Sequence, residues 1–483
     1  MDMRNNDIDI INRLCYTKFG KLPHRVSELP AAGSSRRYYR LSIDNKNDVI
    51  ATIGTSVKEN EAFIYLSEHY DSRGFNVPKI LVTTDDKMAY LQTDLGELTL
   101  FDRLKTARES GVWGRDELRM LEDTVSQLAA LQFDNADKID YTKCYPIPEM
   151  DRKSIMWDLY YFKYCFLKAA VAEIDEVALE ADFDKIASSI LADEIPMGFM
   201  YRDFQSRNVI IHDGMPFFID FQGGRRGPCL YDIVSFLWQA KASYPVDVRR
   251  HLLSVYFFAL KNKISVSEEV LRKHLPNFIL FRTLQVLGAY GFRGYFERKA
   301  HFIQSIPAAL NNLAELFAEN DFNHLPYLKD IMQTIISTRP QVEQSRNCLR
   351  VKISSFSYRK GYPEDLSGNG GGYVFDCRAV TNPGKYEEYK QLTGLDTPVI
   401  KFIESTDEMK IFLDNAFALV SASVKKYLER GFKDLSVAFG CTGGRHRSVY
   451  AAQRMAERIN STLGVEVELC HRERKIKSFF PAR

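Results

Sequence analysis

The chain has 483 residues, of which 45% are apolar and 27% are charged, with 65 Lys and Arg against 63 Asp and Glu. This length exceeds one typical domain, and the composition is typical of a folded globular protein. The sequence contains no run of about 18 apolar residues, so we expect no membrane span. The polar N-terminus, MDMRNNDIDIINRL, does not resemble a signal peptide.

Cysteine spacing and charge distribution indicate the redox state of the thiols and the part of the chain suited to an anionic ligand. The eight cysteines form no C-x-x-C pair, which favours free thiols and a cytoplasmic location. Residues 341–483 carry 23 Lys and Arg against 17 Asp and Glu, whereas the first 340 residues carry 42 against 46. The C-terminal part is therefore the better candidate for an anionic ligand, either a phosphorylated metabolite or nucleic acid. A solvated basic face explains the same excess equally well.

The first 94 residues alternate between helix and strand patterns. Residues 6–19 have helical periodicity, and a turn of small residues at 31–35 leads into a strand. Another strand follows at Val49–Ile53, a helix begins near Lys58, and a third strand ends in Leu91–Gly96. Small residues in the turn would let backbone amides approach a phosphate.

From about residue 99 the pattern is mainly helical. Residues 154–168 predict a strongly aromatic helix that carries Asp158. Its aromatic side chains are suited to a sugar ring and Asp158 to sugar hydroxyls, although aromatic stripes at helical spacing more often belong to a core.

Residues 199–232 hold the main chemical motif. Asp203 is followed by Asn208, then by two apolar runs around His212-Asp213-Gly214-Met215, and the second run ends at Asp220. Asp-Gly between apolar runs predicts a β-hairpin, which would return Asp220 to the neighbourhood of Asp203 and Asn208. Two carboxylates and an amide in one place suit phosphoryl transfer, with one acid as base and the other two groups on Mg²⁺.

This stretch carries a family resemblance. Tyr201-Arg202-Asp203 with Asn208 is similar to the H-R-D-x-x-x-x-N catalytic loop of protein kinases, and Ile219-Asp220-Phe221 stands where their D-F-G would be. The form is closer to the aminoglycoside phosphotransferase-like, or choline kinase-like, small-molecule kinases. IDFQGGRRGPCLYDIVSFL most resembles the cell-wall sugar kinases that phosphorylate N-acetylmuramate and N-acetylglucosamine at the anomeric position.

The resemblance implies a bilobal α+β kinase domain over residues 1–336, with an N-lobe to about 94 and a C-lobe from about 95. It implies ATP and Mg²⁺ as cofactors and an amino sugar as acceptor. Asp203 would be the catalytic base, and Asn208 and Asp220 the metal ligands. Three residues are candidates for acceptor binding: Asp158, Arg207 and Gln222.

Nucleotide binding is predicted for the turn and for the hinge between lobes. Protein kinases place a phosphate-binding lysine on the strand that here reads Val49–Ile53, and it is missing. Lys58 or one of the two arginines after the turn would replace it, and the sequence does not decide which. The candidate nucleotide-binding residues are Gly33, Ser34, Ser35, Arg36, Arg37, Lys58, Gln92 and Asp94.

A polar, proline-containing stretch predicts a linker at 337–347, followed by a second domain at 348–483. Short β-rich runs alternate there with helices, which predicts an α/β domain with a mostly parallel sheet. The loop Gly440–Ser448, reading GCTGGRHRS, lies between a predicted strand and helix. Free amides and the helix dipole would converge there on an anion.

The second domain carries its own resemblance. GCTGGRHRS, with SFSYRKGYP, VFDCRAVTNPG, LTGLDTPV and CHRER, is similar to the C-terminal domain of RNase adapter protein RapZ. That resemblance implies a phosphosugar effector and leaves an RNA partner open. The candidate phosphosugar-binding residues are Asp376, Arg378, Asn382, Cys441, Thr442, Gly443, Gly444, Arg445, His446, Arg447, Ser448, His471 and Arg472.

Two alternatives stay open at this stage. Cys441, Arg447 and Ser448 match the C-x₅-R-[ST] pattern of cysteine phosphatases, in which a helix N-terminus lowers the pKa of a nucleophilic thiol. The missing strand lysine also allows a degenerate kinase scaffold whose working part is an RNA- or protein-binding C-terminal domain.

Overall fold

The structure is a computed structural model that describes residues 3–30, 36–44, 47–171, 173–338, 349–363 and 372–482. Contacts between Cα atoms divide the chain into two compact units, unit 1 at residues 1–339 and unit 2 at residues 340–483. Among the described residues, no helix combines the length and apolar character needed to cross a bilayer.

Unit 1 begins with a five-stranded antiparallel sheet in the order β1-β2-β3-β5-β4. Its strands alternate inward apolar and outward polar residues, and the inward set packs against the first helix. The second helix connects β3 to β4 and is capped at Ser56. The elements are α1 Met3–Phe19, β1 Arg25–Glu28, β2 Arg37–Asp44, β3 Asn47–Ile53, α2 Val57–Asp71, β4 Ile80–Thr83 and β5 Ala89–Thr93.

The rest of unit 1 is mainly helical and contains two short two-stranded sheets. Its elements are α3 Leu100–Arg103, α4 Lys105–Ser110, α5 Arg115–Phe133, α6 Arg152–Phe162, α7 Lys168–Ala170, α8 Glu176–Ile190, β6 Met197–Met200, β7 Val209–His212, β8 Met215–Phe218, β9 Arg225–Pro228, α9 Leu230–Leu237, α10 Val246–Leu260, α11 Glu268–Gly291, α12 Ala300–Ile303, α13 Ile306–Glu319 and α14 Pro326–Thr338. One continuous apolar core joins these helices to α2.

Local details of this part differ from the sequence prediction. The aromatic helix is α6, which continues into π-helical residues Lys163–Leu167 instead of running straight to 168. Residues Arg225–Pro228 pair as strand β9 with β6, and the next helix starts at Leu230. Arg225 and Arg226 contribute backbone hydrogen bonds to this ladder, which outweighs the weak helical preference of a Gly-Pro pair.

Unit 2 is a five-stranded sheet in the order β11-β12-β10-β13-β14. The first four strands are parallel, and the edge strand β14 is antiparallel to β13. Its elements are β10 Arg350–Ser357, β11 Gly372–Asp376, α15 Thr397–Glu404, α16 Glu408–Glu429, β12 Asp434–Cys441, α17 Arg447–Leu463, β13 Glu466–His471 and β14 Ile476–Phe480. The predicted fold classes of both units are therefore confirmed.

Candidate functional site

The segment from Tyr201 to Asp220, here called the catalytic hairpin, brings distant residues together. Strands β7 and β8 are joined by Asp213 and Gly214, both at positive φ (48° and 77°), as the Asp-Gly pair predicts. The amide of Ile219 donates to the carbonyl of Asn208 at 3.0 Å, so Asp220 arrives directly beside Asn208.

Asn208 links the two acids of the catalytic hairpin. Its Nδ2 donates to the backbone carbonyl of Asp203 at 2.8 Å and approaches Asp220 Oδ2 at 3.3 Å. Asp203 itself is exposed, whereas Asp220 is only partly exposed. A single amide thus holds an accessible carboxylate and a recessed one in one cluster.

The backbone of the catalytic hairpin is held in unusual conformations. Arg202 and Asp220 have φ of 80° and 67°, a left-handed region that residues with a Cβ rarely adopt. Conformations of this kind cost roughly 1–3 kcal/mol each and persist where the surroundings enforce them.

Asp232 supplies much of that enforcement. Its carboxylate is fully buried and accepts hydrogen bonds from the amides of Tyr201 (2.7 Å) and Arg202 (2.9 Å). Burial raises the pKa of Asp232 to about 7, against the lowering effect of these bonds. The Tyr201 hydroxyl donates to the carbonyl of Ile219, so the tyrosine supports the catalytic hairpin from within.

Asp220 lies in an environment that disfavours its charge. Burial raises its pKa to about 6, and the negative charge of Asp203 adds to this effect. Gln222 donates from Nε2 to Asp220 Oδ1 at 2.7 Å, and Arg36 also opposes the rise electrostatically. The Oε1 atom of Gln222 is buried and has no hydrogen-bond partner within the described part of the chain. A cation beside Asp220 would relieve both features.

The other two predicted acceptor residues make contacts of their own. Asp158 accepts from Arg202 Nη2 through both carboxylate oxygens, at 2.9 and 2.8 Å, so it is tied to the residue that precedes Asp203. Arg207 is exposed, and its guanidinium lies over the ring of Phe101 at 4.5 Å.

The three candidate cations of the N-lobe have different surroundings. Arg36 is buried and forms an ion pair with Glu59 on α2. Arg37 donates to Asp7 of α1 from Nε (2.6 Å) and Nη2 (2.8 Å), and Lys58 is exposed.

The two predicted hinge residues, Gln92 and Asp94, differ in their hydrogen bonding. Asp94 pairs with Arg40 and caps the amide of Gly96 at 2.8 Å. Gln92 lies on β5, and its buried Oε1 lacks a hydrogen-bond partner among the residues described. The predicted lid residues Gly33, Ser34 and Ser35 lie outside the described residues.

In unit 2 the loop from Cys441 to Ser448, here called the anion loop, joins the end of β12 to α17. The Cys441 sulfur is buried and lies 3.1 Å from the Ser448 hydroxyl oxygen. Burial raises the pKa of this thiol, but the Ser448 hydroxyl and the amides of Ser448, Arg445 and Gly444 outweigh it and lower the pKa overall. These three amides therefore meet at the Cys441 sulfur, and their binding of a separate anion stays a prediction.

Several predicted ligand residues of unit 2 are turned inward. Arg447 donates from Nη1 to the carbonyls of Arg378 (3.0 Å) and Val380 (2.8 Å). The His446 ring contacts the carbonyl of Tyr389 at 2.9 Å, and its pKa is lowered by burial. His471 is 1% exposed and lies against the Ser355 hydroxyl (3.0 Å) and the Gln453 amide (3.2 Å).

Other predicted residues face the surface around the anion loop. Thr442 and Gly443 are exposed at its tip. Arg378 is exposed and pairs with Asp376 at 2.7 Å. The remaining predicted residues make contacts within unit 2. Asn382 caps Gly384, Arg445 donates to the carbonyl of Lys390, Arg472 bonds Glu473 and the carbonyl of Gly361, and Gly444 adopts φ 64° against Glu473.

A cleft of about 650 Å³ also opens in unit 2, between α16 and α17. Its lining includes Glu404, Lys410, Arg454 and Phe480 but no residue of the anion loop. This cleft and the anion loop therefore lie in different places.

Sequence reasoning missed two residues of the catalytic region. Glu59 is the acid of α2 that pairs with Arg36. Which acid of the helix faces Arg36 depends on the angle of α2 against the sheet. Arg202 was read as part of a motif, yet it also joins α6 to the catalytic hairpin through Asp158. No sequence spacing connects residues 158 and 202, so the pair was not predictable.

Comparison with known proteins gives two domain matches. Residues 26–263 match the model of the phosphotransferase enzyme family, and residues 349–475 match that of the RapZ C-terminal domain. A nucleotide-binding protein of Staphylococcus epidermidis is 31% identical over 168 residues, 32% of this chain and 54% of that protein. One from Clostridium acetobutylicum is 28% identical over 259 residues, 53% of this chain and 76% of that protein. The chain spans about half the length of the first of these relatives.

Among solved structures, choline kinase from Cryptosporidium parvum is 14% identical, with a TM-score of 0.47 over 67% of this chain and 99% of that chain. Choline kinase from Streptococcus pneumoniae is 13% identical, with a TM-score of 0.39 over 64% and 98%. Scores this low carry no argument by themselves. The two domain matches confirm the predicted resemblances at the level of the family: residues 26–263 match the phosphotransferase enzyme family and residues 349–475 match the RapZ C-terminal domain, while the resemblance to sugar kinases stays a prediction.

Proposed function

We propose that unit 1 transfers the γ-phosphoryl group of ATP to a hydroxyl of a small molecule, an amino sugar of cell-wall metabolism. The observation that carries the proposal is the Asn208 amide, which holds the accessible Asp203 and the recessed Asp220 in one cluster. Phosphoryl transfer needs such a cluster, because one acid must accept the hydroxyl proton while the metal ligands position the phosphates.

Each residue of the catalytic hairpin has a separate role in this proposal. Asp203 accepts the proton of the attacking hydroxyl, which its exposure permits. Asp220 and Asn208 hold Mg²⁺; the amide nitrogen of Asn208 is engaged by the Asp203 carbonyl, so its oxygen is the group that meets a cation. Asp232 and Tyr201 keep the catalytic hairpin in its left-handed conformations.

The residues present fit Mg²⁺. No cluster of three or more His, Cys, Asp or Glu side chains suited to a metal exists among the described residues. Mg²⁺ is usually held by one or two carboxylates together with substrate phosphates, so the recessed carboxylate of Asp220 and the amide of Asn208 are sufficient. The bound ion would neutralise the charge that develops on the phosphoryl oxygens. The raised pKa of Asp220 and the unsatisfied Gln222 Oε1 both favour a cation there.

ATP would lie between the sheet and the catalytic hairpin. Gln92 and Asp94, at the end of β5, would present backbone groups to the adenine, while Gly33, Ser34 and Ser35 would cover the phosphates. These assignments follow the kinase pattern and remain predictions.

The acceptor is proposed to bind beside α6. Trp157 (49% exposed) and Tyr161 (37% exposed) lie one turn apart on this helix, and Tyr161 is 5.8 Å from Phe292. Asp158, between them in sequence, reaches Arg202 of the catalytic hairpin. An exposed aromatic surface adjoining a catalytic loop suits a sugar ring, whose C–H faces pack on aromatic side chains.

For unit 2 we propose phosphosugar binding without chemistry. Thr442 and Gly443, exposed in the loop that leads to α17, would offer backbone donors to a phosphate, and the exposed Arg378 would add a positive charge. The phosphatase alternative has some support, since the pKa of Cys441 is lowered. However, a phosphatase arginine must face the phosphate, and Arg447 instead donates to two backbone carbonyls.

Screening ADP release by the full chain against free hexoses, amino sugars, choline and an aminoglycoside tests the proposal. We expect turnover to depend on an amino sugar. Turnover with choline or the aminoglycoside alone would overturn the sugar assignment. No turnover with any acceptor, together with tight RNA binding, would favour the scaffold alternative.

A further inference from the structure

Arg36 is a buried cation at the centre of the N-lobe. Its side chain is 2% exposed, and Nη2 lies 3.0 Å from Glu59 Oε1 on α2. A guanidinium has five donors in a fixed fork, so its geometry suits simultaneous contact with a carboxylate and a phosphate. Removing such a charge from water is costly, and a chain seldom keeps one there without a use for it.

The position of Arg36 is set by the sheet. Arg37 pairs with Ile53 in the β2–β3 register, so Arg36 lies level with the end of β3. Strand β3 reads NDVIATI and carries no cation. In protein kinases a lysine of this strand contacts the α- and β-phosphates and pairs with a glutamate of the following helix. Here α2 is the helix that follows β3, and Glu59 is on it.

Arg36 also lies close to the catalytic hairpin. Its Cζ is 6.0 Å from the centroid of the Phe63 ring, and that ring stacks at 5.0 Å on Phe221, the residue that follows Asp220. The pKa of Arg36 is lowered by burial but raised overall by Tyr90, Tyr38 and Glu59. The guanidinium therefore stays charged between an acid of α2 and the acid proposed to hold Mg²⁺.

The other candidate cations do not share this geometry. Arg37 is committed to Asp7 on α1 by two short hydrogen bonds, and Lys58 is exposed on α2. The sequence leaves Lys58, Arg36 and Arg37 as candidates to replace the strand lysine, and burial and ion pairing favour Arg36.

We propose that Arg36, the residue before β2, binds the α- and β-phosphates of the nucleotide in place of the strand lysine, and that Glu59 positions it. This inference rests on the proposed kinase function. The guanidinium fork allows one nitrogen to hold Glu59 while others meet phosphate oxygens, which a single ammonium does less well. The Arg36–Glu59 ion pair would then have the same role as the kinase Lys–Glu pair, in which the glutamate positions a phosphate-binding cation. Here the cation comes from the residue before the neighbouring strand.

Calorimetry of the full chain with Mg-ATP, Mg-ADP and adenosine tests this assignment. Arg36→Met should weaken ATP and ADP binding by about ten- to hundredfold, the value of one charge-assisted bond, and leave adenosine binding unchanged. Arg36→Lys should recover part of the loss. Glu59→Gln should weaken ATP binding less than Arg36→Met does, whereas the matched Glu68→Gln, at an exposed position of the same helix, should have no effect.

Three results would contradict the inference, and each is distinct. Equal loss of ATP and adenosine binding in folded Arg36→Met would show that the pair only supports the lobe. Full ATP affinity in Arg36→Met would remove Arg36 from the phosphate site while leaving the kinase proposal intact. Failure of the wild-type chain to bind ATP at all would overturn the proposed function itself. If Arg36→Met does not fold, the ratio of ATP to adenosine affinity in Arg36→Lys decides, because only a phosphate contact changes that ratio.

Discussion

The catalytic hairpin of unit 1 and the anion loop of unit 2 are both turns that gather polar groups, but they gather opposite charges. The catalytic hairpin collects the carboxylates of Asp203 and Asp220 around one amide. The anion loop collects amides and a hydroxyl around the Cys441 sulfur. The first arrangement calls for a cation, and the second stabilises a negative charge.

The two regions also differ in whether the charged residues of their motifs are exposed or are bonded to the backbone. In the catalytic hairpin, Asp203 stays exposed while Asp232 and Tyr201 hold it from inside. In the anion loop, Arg447 and His446 hold backbone carbonyls. A charged residue in a motif can therefore either bind a ligand or stabilise the conformation of its own loop, and its contacts in the structure distinguish the two roles.

The largest effect is expected at Asp203. Asp203→Asn should lower kcat by roughly 10²–10⁴-fold because it removes the proton acceptor, with ATP affinity largely kept. The matched control is Asp213→Asn in the hairpin turn, which is exposed and at positive φ, a conformation asparagine tolerates. Steady-state ADP release measures both, and equal activity of the two variants would contradict the role of Asp203.

The second effect tests the opposite charge preference of the anion loop. A Cβ at Gly443 would meet no atom within 4 Å, so a side chain fits without strain. Gly443→Glu should weaken glucosamine-6-phosphate binding by roughly 10–100-fold through charge repulsion, while Gly443→Ala and Gly443→Lys should retain it. Unchanged affinity in Gly443→Glu, measured by calorimetry, would place the ligand elsewhere.

The third effect is a pH dependence of the stability of unit 2 that arises from the buried His471. Burial lowers the pKa of His471 from 6.5 to about 4. The unfolded chain then takes up this proton near pH 6.5 and the folded chain only near pH 4, so acidification favours unfolding. Between pH 7 and pH 5 this one group should cost unit 2 about 2 kcal/mol of stability.

Hydrogen exchange of the β13 amides, corrected for the intrinsic rate at each pH, measures this loss. His471→Gln should flatten the dependence. A stability of β13 that does not change with pH in the wild-type chain would indicate that the ring reaches solvent and is available to a ligand.

The smallest effect separates two roles of Asp158. If Asp158 positions the catalytic hairpin through Arg202, Asp158→Asn should lower kcat about tenfold, the value of one charge-assisted bond, with little change in the acceptor KM. If it contacts the acceptor instead, KM should rise and kcat should change less. Acceptor titrations at saturating ATP distinguish the two outcomes.

Sequence alone predicted much of this arrangement. The Asp-Gly turn and the spacing from Asp203 to Asn208 predicted the catalytic hairpin, because hairpins and loops are local. The anion loop was predicted for the same reason, since it joins one strand to one helix. The ion pairs Arg36–Glu59 and Arg202–Asp158 were not predicted, since they depend on how a helix lies against a sheet or a loop. The inward orientation of Arg447 likewise depends on where the chain at 378–380 passes.

The central claim is that the catalytic hairpin phosphorylates an amino sugar. Phosphorus NMR of a reaction with Mg-ATP and N-acetylglucosamine or N-acetylmuramate tests it most directly. We predict a new sugar-phosphate resonance that grows in step with ADP in the wild-type chain and is absent in Asp203→Asn. Release of inorganic phosphate without a sugar phosphate, or an equal product yield in Asp203→Asn, would contradict the account.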